Sequence, residues 1–194
     1  EGLKARMEAE ALFLRAYFYW DLARHYGYVP VITSVLPSVE DYKSLPQNTP
    51  EEVFKQIASD LLKAVAVLPV QITASEKGRI SKAAAQALIA RIYLYIEGFG
   101  KPVIGLPAWS DGKTTIDKAY VQAALEQIIS SNVYSLLPNY ASLWDWANQN
   151  TKESILEIQY SEKAKSGDWG GWNINGNFSC VWISVRNPEG DASV

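Results

Sequence analysis

The sequence predicts a mainly α-helical fold: helix pairs form a scaffold, and a loop-rich half carries short strands. Three observations predict it. Between about Leu3 and Ser131, apolar residues recur at three- and four-residue steps in several long stretches. At Thr49 a capping box opens one of those stretches. Near residue 151 the pattern switches to period-two alternation, and then to Gly, Asn, Asp, Ser and Trp. The 194 residues suit one domain, read here as a helical scaffold over 1–150 and a strand and Gly/Asn/Trp-rich loop region over 151–194.

The first helix is expected from about Leu3 to Tyr26. Ala9, Leu12, Ala16, Tyr19, Ala23 and Tyr26 mark one apolar stripe, and Leu3, Met7, Leu14, Phe18 and Leu22 mark a second. A helix apolar on two sides is expected to lie between neighbours. Gly27 supplies the stop, with an extended exit over Tyr28–Ile32 and a Ser/Pro-rich loop from Pro37 to Pro46. The second helix has the best start signal. In Thr49-Pro50-Glu51-Glu52 the Thr49 hydroxyl and the Glu52 carboxylate satisfy orphan amides reciprocally, and Pro50 takes the first helical position. Val53, Ile57, Leu61, Ala64 and Leu68 share one face, and Pro69 ends the helix.

A third helix is expected from an N-cap at Ser81 to Gly98, with Ala83, Ala84, Ala85, Ala87 and Ala90 allowing close helix approach. A Gly/Pro/Trp loop follows from Gly100 to Gly112. The fourth helix spans about Asp117 to Ser131, with Ala119, Ala123, Ala124, Leu125, Ile128 and Ile129 inward, and a shorter helical piece covers Asn139 to Asn148. Ser154–Tyr160 alternates, which places Leu156, Ile158 and Tyr160 on one side of a strand.

Composition excludes several functions. The net charge is −3 and no basic tract stands out, which argues against tracking nucleic acid phosphates. The single Cys excludes an internal disulfide and a Cys-rich zinc site, and the single His leaves little room for a His-based metal site or triad. No cofactor is implied. The chain opens as if inside a helix and closes on a loop at Asn187–Asp191, so it is expected to be incomplete at both ends. No signal peptide or membrane span is visible in it.

Helix pairs with Ala-rich contact faces suggest a tetratricopeptide-like arrangement. Longer blocks say more. Leu14-Arg15-Ala16-Tyr17-Phe18-Tyr19-Trp20-Asp21-Leu22, with Tyr26-Gly27-Tyr28-Val29-Pro30-Val31, resembles a block of the SusD/RagB proteins. Residues 78–95, GRISKAAAQALIARIYLY, are similar to a second block, and Lys152–Ser161, KESILEIQYS, to a third. The three stand in the family's order. The resemblance implies tetratricopeptide-like helix pairs packed against a less regular half that carries a glycan site. It also implies a lipoprotein on the outer face of the Gram-negative outer membrane, capping a SusC-like TonB-dependent transporter. The lipid anchor would belong to an N-terminal Cys outside this chain. Cys180 lacks the apolar run that precedes a processing site and reads as an inert buried thiol. Arg15, which recurs in the family block, is expected to pair with an acid of the scaffold.

Sugar rings present an apolar face, which suits a flat aromatic, and a rim of hydroxyls, which suits amides and carboxylates. Asp168, Trp169, Trp172, Asn173, Asn175 and Asn177 place that chemistry within ten residues, among Gly170, Gly171 and Gly176. These six are the expected ligand-binding residues, against the alternative that both Trp rings merely pin a long loop. Trp20 reads as packing, and Trp182 as buried in a strand. Of Trp144 and Trp146, one is expected in the core and the other half exposed. Trp109, in the Gly/Pro loop, is left open between facing ligand and facing a partner. His25 reads as a helix C-terminal charge. No pair of acids declares itself as catalytic; Glu153 and Glu157 read as a solvated strand edge. The expected function is non-catalytic glycan capture for a transporter, with a peptide-binding or structural-lid protein as the alternative.

Overall fold

The computed structural model describes residues 2–144 and 148–159. The chain divides into two compact units, Glu1–Glu157 and Ile158–Val194, and the architecture below is that of the first.

Helix α1 spans Gly2–Tyr26, as its spacing predicts. Gly27, at φ +70°, ends it because a Cβ is disfavoured in that left-handed turn. The extended exit is fixed by the Tyr19 hydroxyl, which donates to the Ile32 carbonyl and accepts from the Ile32 amide at 2.6 Å. Val29 bridges to Asn48, whose side-chain oxygen also accepts from the Val31 amide. The Ser/Pro loop contains a short helix, α2, Val39–Lys43, that the sequence reading missed. Asp41 starts it by accepting from the Ser38 amide at 2.9 Å.

Helix α3, Pro50–Val67, begins with the expected capping box. The Glu52 amide donates to the Thr49 hydroxyl, and the Glu52 carboxylate accepts from the Thr49 amide at 2.8 Å. That bond, with those from the Thr49 hydroxyl and Asn48, holds Glu52 below the usual carboxylate range. Helix α4, Lys82–Tyr95, is capped by the Ser81 hydroxyl, and α5, Lys118–Ser130, by the Asp117 carboxylate. Between α4 and α5 the structure departs from the expectation. Gly98 does not stop the helix; the backbone widens into a π-helix over Ile96–Ile104 that ends at Gly105, φ +79°. Pro102 removes a donor, and in an α-turn its ring would crowd the carbonyl four residues back. The wider winding accommodates it. Gly100 sits against Leu106, where a Cβ would approach Leu106 Cδ1 to 2.8 Å.

The helices pack in sequence order, α1 on α3, α3 on α4 and α4 on α5, in antiparallel pairs. This is the expected helix-pair scaffold. The core lies between α1, α3 and α4, where Phe13, Ala16, Val53, Ile57, Leu61, Ala85, Ile89 and Ile92 are buried. Ala83, Ala84, Ala85 and Ala90 are buried as expected. Gln86, also buried, donates its amide to Gln127 of α5.

Three expectations about faces are corrected. The second stripe of α1 is exposed, Leu3, Met7, Leu14, Phe18 and Leu22 included, because α1 is the outer layer among the described residues. Tyr26 of the first stripe is exposed too. On α5 the inward face is Val121, Ala124 and Ile128, while Ala119, Ala123, Leu125 and Ile129 are exposed; among the described residues this helix has one helical neighbour and buries one narrow face. Residues 154–159 form no ladder among the described residues, where the only bridges are isolated, at Val29–Asn48 and Ser110–Thr115. Ile155 packs toward the core, while Leu156 and Ile158 are exposed. Without a pairing strand, packing sets which side faces in.

Candidate functional site

Two charged assemblies hold the scaffold rigid. Arg15 grips Asp60 through two bonds of 2.7 Å, and Gln56 adds a third to the same carboxylate, whose side chain is fully buried. The Asp60 hydrogen bond raises the Arg15 pKa above its ordinary value. The expected acid partner of Arg15 is therefore Asp60. At the start of α1, Arg6 and Arg79 share Glu10, and Arg6 also reaches Glu76 at 2.7 Å. Arg6 and Thr73 together hold Glu76 below the usual range.

Trp20 is buried as expected, with the guanidinium of Arg24 4.2 Å and that of Arg91 5.3 Å from its ring. His25, at the end of α1, contacts the Asp21 carbonyl and lies near its carboxylate, in keeping with a helix-end role. Trp109 is also a packing residue. It is 4% exposed, and its indole N–H donates to the Phe54 carbonyl at 2.8 Å. The tight turn after it is held by Asp111, which accepts from the Lys113 and Thr114 amides; these bonds keep its carboxyl below the usual range. A cavity of about 200 Å³ lies beside it, lined by Glu51, Phe54, Lys55, Leu106, Trp109 and Ser110.

The segment after α5 carries the most exposed aromatics outside α1. It is tied down at intervals: Tyr134 bonds Ser81, the Ser135 amide donates to the Lys152 carbonyl, and the Leu137 amide donates to Glu153. On that footing a 3₁₀ turn, Tyr140–Trp144, projects Tyr140 at 72% exposure and Trp144 at 77%. Their rings meet edge to face at 6.3 Å and 74°. An aromatic so exposed, yet braced by a second ring, buries little for stability and presents a flat apolar face to solvent. Trp144 is more exposed than either place expected for it, core or half exposed; Trp146 lies outside the described residues.

Glu153 and Glu157 are not a solvated edge. Glu153 accepts from Leu137, and Glu157 accepts from the Asn150 amide and the Ser154 hydroxyl. The same stretch and the α3–α4 connection line a cavity of about 320 Å³ that includes Lys77, Arg79, Tyr134, Thr151, Lys152 and Glu157.

The six ligand-binding residues expected from the sequence, Asp168, Trp169, Trp172, Asn173, Asn175 and Asn177, lie outside the described residues, as do Cys180 and Trp182. The Tyr140–Trp144 ridge was missed. Its signal was present: two aromatics four apart, just after the turn-forming pair Pro138-Asn139.

A mainly helical scaffold of stacked pairs with an aromatic ridge on the following loop defines a class of helical-repeat proteins, and comparison with known proteins narrows it. Residues 2–94 match a SusD-like family model described as starch-binding and associating with the outer membrane. A SusD-like protein of Bacteroides ovatus is 31% identical over 178 residues, 87% of this chain and 28% of that protein. Among solved structures, a laminarin-binding SusD-like protein superimposes with a TM-score of 0.72 at 31% identity, over 89% of this chain and 34% of that one. A SusD-like carbohydrate-binding protein of Bacteroides fragilis gives a TM-score of 0.67 at 27% identity, over 84% of this chain and 28% of that one. Over most of its length the chain is similar to SusD-like proteins. It spans under a third of the length of the curated relatives it matches, 28–29%.

Proposed function

We propose that this chain is part of a non-catalytic cell-surface protein that binds glycan at the outer membrane and passes it to a SusC-like TonB-dependent transporter. The observation that carries this reading is the Tyr140–Trp144 ridge: two rings more than 70% exposed, braced edge to face, on a turn anchored to the scaffold. A ring held open to solvent is a stacking platform for a sugar face, at little entropic cost when ligand arrives. The similarity to a laminarin-binding relative points the same way. Asp168, Trp169, Trp172, Asn173, Asn175 and Asn177 would extend the contact with a second aromatic pair and rim-binding amides. A shallow site of this kind supports micromolar-to-millimolar affinity, about −4 to −8 kcal/mol, weak enough for release to a transporter. The non-catalytic reading is supported by the engagement of Glu153 and Glu157 in backbone bonds, which gives both of these acids a structural role.

The test is affinity electrophoresis of the whole protein against soluble polysaccharides, with Trp144→Ala and Trp169→Ala/Trp172→Ala variants beside it. Retardation by one polymer class, reduced in Trp144→Ala at unchanged thermal midpoint, is the expected outcome. Retardation that neither variant reduces would leave glycan capture standing and remove both aromatic sites.

A second reading, a peptide-binding protein or structural lid for such a transporter, draws on the exposed α1 face of Met7, Leu14, Phe18 and Leu22. Failure of every polysaccharide to retard the whole protein would favour it.

A further inference from the structure

The cavity of about 320 Å³ between the α3–α4 connection and residues 150–157 differs in character from the aromatic ridge. Three cationic side chains line it, Lys77, Arg79 and Lys152, against one acid, Glu157. Arg79 is already engaged, with its guanidinium on Glu10 at 3.0 and 2.6 Å. Glu157 is spent on the Asn150 amide and the Ser154 hydroxyl. Lys77 and Lys152 form no ion pair among the described residues, so the lining offers two ammonium groups that no described acid engages, in a chain whose net charge is −3. Beside them the Thr151 hydroxyl oxygen is buried and finds no hydrogen-bond partner among the described residues. Buried polar atoms are nearly always paired, and an exception at a cavity wall marks where a polar ligand group would bond. The walls themselves are tied down: the Ser135 amide donates to the Lys152 carbonyl at 3.0 Å, and Asn150, at a positive φ of 56°, donates its amide to Glu157.

We infer that this cavity is a subsite for an anionic saccharide unit, one carrying a carboxylate or a sulfate ester, with Lys77 and Lys152 meeting the charge and Thr151 a neighbouring hydroxyl. The inference rests on the glycan-binding reading above and narrows its substrate class. A neutral sugar is met by amides and hydroxyls; two ammonium groups lining one cavity bond most strongly to an anion, through charge-assisted bonds. A volume near the lower end of the ~300–1,000 Å³ span of small-molecule sites suits a single sugar unit, while the exposed ridge serves the rest of a polymer.

The experiment compares the whole protein with Lys77→Ala/Lys152→Ala and Lys77→Arg/Lys152→Arg variants. Both lysines are exposed, so the variants should fold, and thermal melts check this. The probes are laminarin as a neutral polymer, polygalacturonate for carboxylate and carrageenan for sulfate. The expected result is binding of one anionic polymer that weakens roughly tenfold in the alanine variant, weakens with added salt, and is recovered by the arginine variant. Which of the two polymers binds identifies the anion. Anionic binding unchanged in the alanine variant would overturn the inference. So would binding of laminarin alone, in which case glycan capture stands. Binding of none of the three, in a panel where no other polysaccharide binds either, would overturn both readings.

Discussion

Asp60 has no solvent-exposed side-chain surface, and three hydrogen bonds, two from Arg15 and one from Gln56, are what make its charge tolerable there. The two partners are not equivalent. Arg15 retains 29% of its side-chain exposure and can turn to water if Asp60 is lost; Asp60 has no such outlet. Arg15→Ala is therefore expected to destabilise the chain by about 3–5 kcal/mol, the usual cost of an uncompensated buried charge. Asp60→Asn should cost clearly less, and paired urea melts of the two variants measure the gap. The family block makes Arg15 stand out in the sequence. Its partner is invisible there, because 45 residues separate them and no local pattern distinguishes one α3 acid from another. Trp20 is similar: its helical position shows that it packs, but the two guanidinium groups over its ring come from different helices.

Helix starts were legible because capping is local chemistry. Thr49, Ser81 and Asp117 each place an oxygen within three residues of the amide they satisfy. Helix ends were less so. Glycine and proline after Tyr95 read as a stop, yet the π-helix carries the winding on through Pro102 to Gly105. The true terminus depends on φ +79° at that glycine. Gly105→Ala is expected to cost about 1–2 kcal/mol, the steric penalty of a left-handed L-residue, and Gly105→Asn less; thermal melts of both check it. Which face of α1 or α5 turns inward was not legible either. Both helices have more apolar positions than their neighbours cover, so neighbour geometry, not hydropathy, selects among them. Leu156 and Ile158 were expected on one side of a strand, but residues 154–159 form no ladder among the described residues and both side chains are exposed.

Among the described residues, three carboxyl groups lie below their ordinary range for separate reasons: Glu52 through its cap, Glu76 through Arg6, Asp111 through backbone amides. A carboxyl whose folded pKa is depressed stabilises fully above its unfolded value, near 4. It loses that contribution as the pH falls further toward the folded value. Helical content by circular dichroism is thus expected to hold above about pH 5 and to fall in acid, with a shallower fall in Glu52→Gln and Glu76→Gln at lower starting stability. As for function, the expected aromatic and amide residues from Asp168 to Asn177 lie outside the described residues, and the placement of the ridge that the structure does describe was not legible in the sequence. The ridge at Tyr140 and Trp144 depends on a turn held by bonds to residues 81, 152 and 153, and such long-range anchoring leaves no mark on the turn itself.

The order in which the helices touch has a consequence in time. Each layer rests mainly on the one made just before it, so little chain must be searched before a contact is rewarded, and loop-closure entropy stays small. A ribosome or a translocation pore that releases the N-terminus first would let α1 and α3 close on each other before α4 emerges, with α5 added last. Refolding by stopped flow is expected to be fast for a chain of this length, in the milliseconds typical of locally connected helical proteins. A Leu61→Ala change at the α1–α3 layer should slow it, whereas Ile128→Ala in α5 should chiefly speed unfolding.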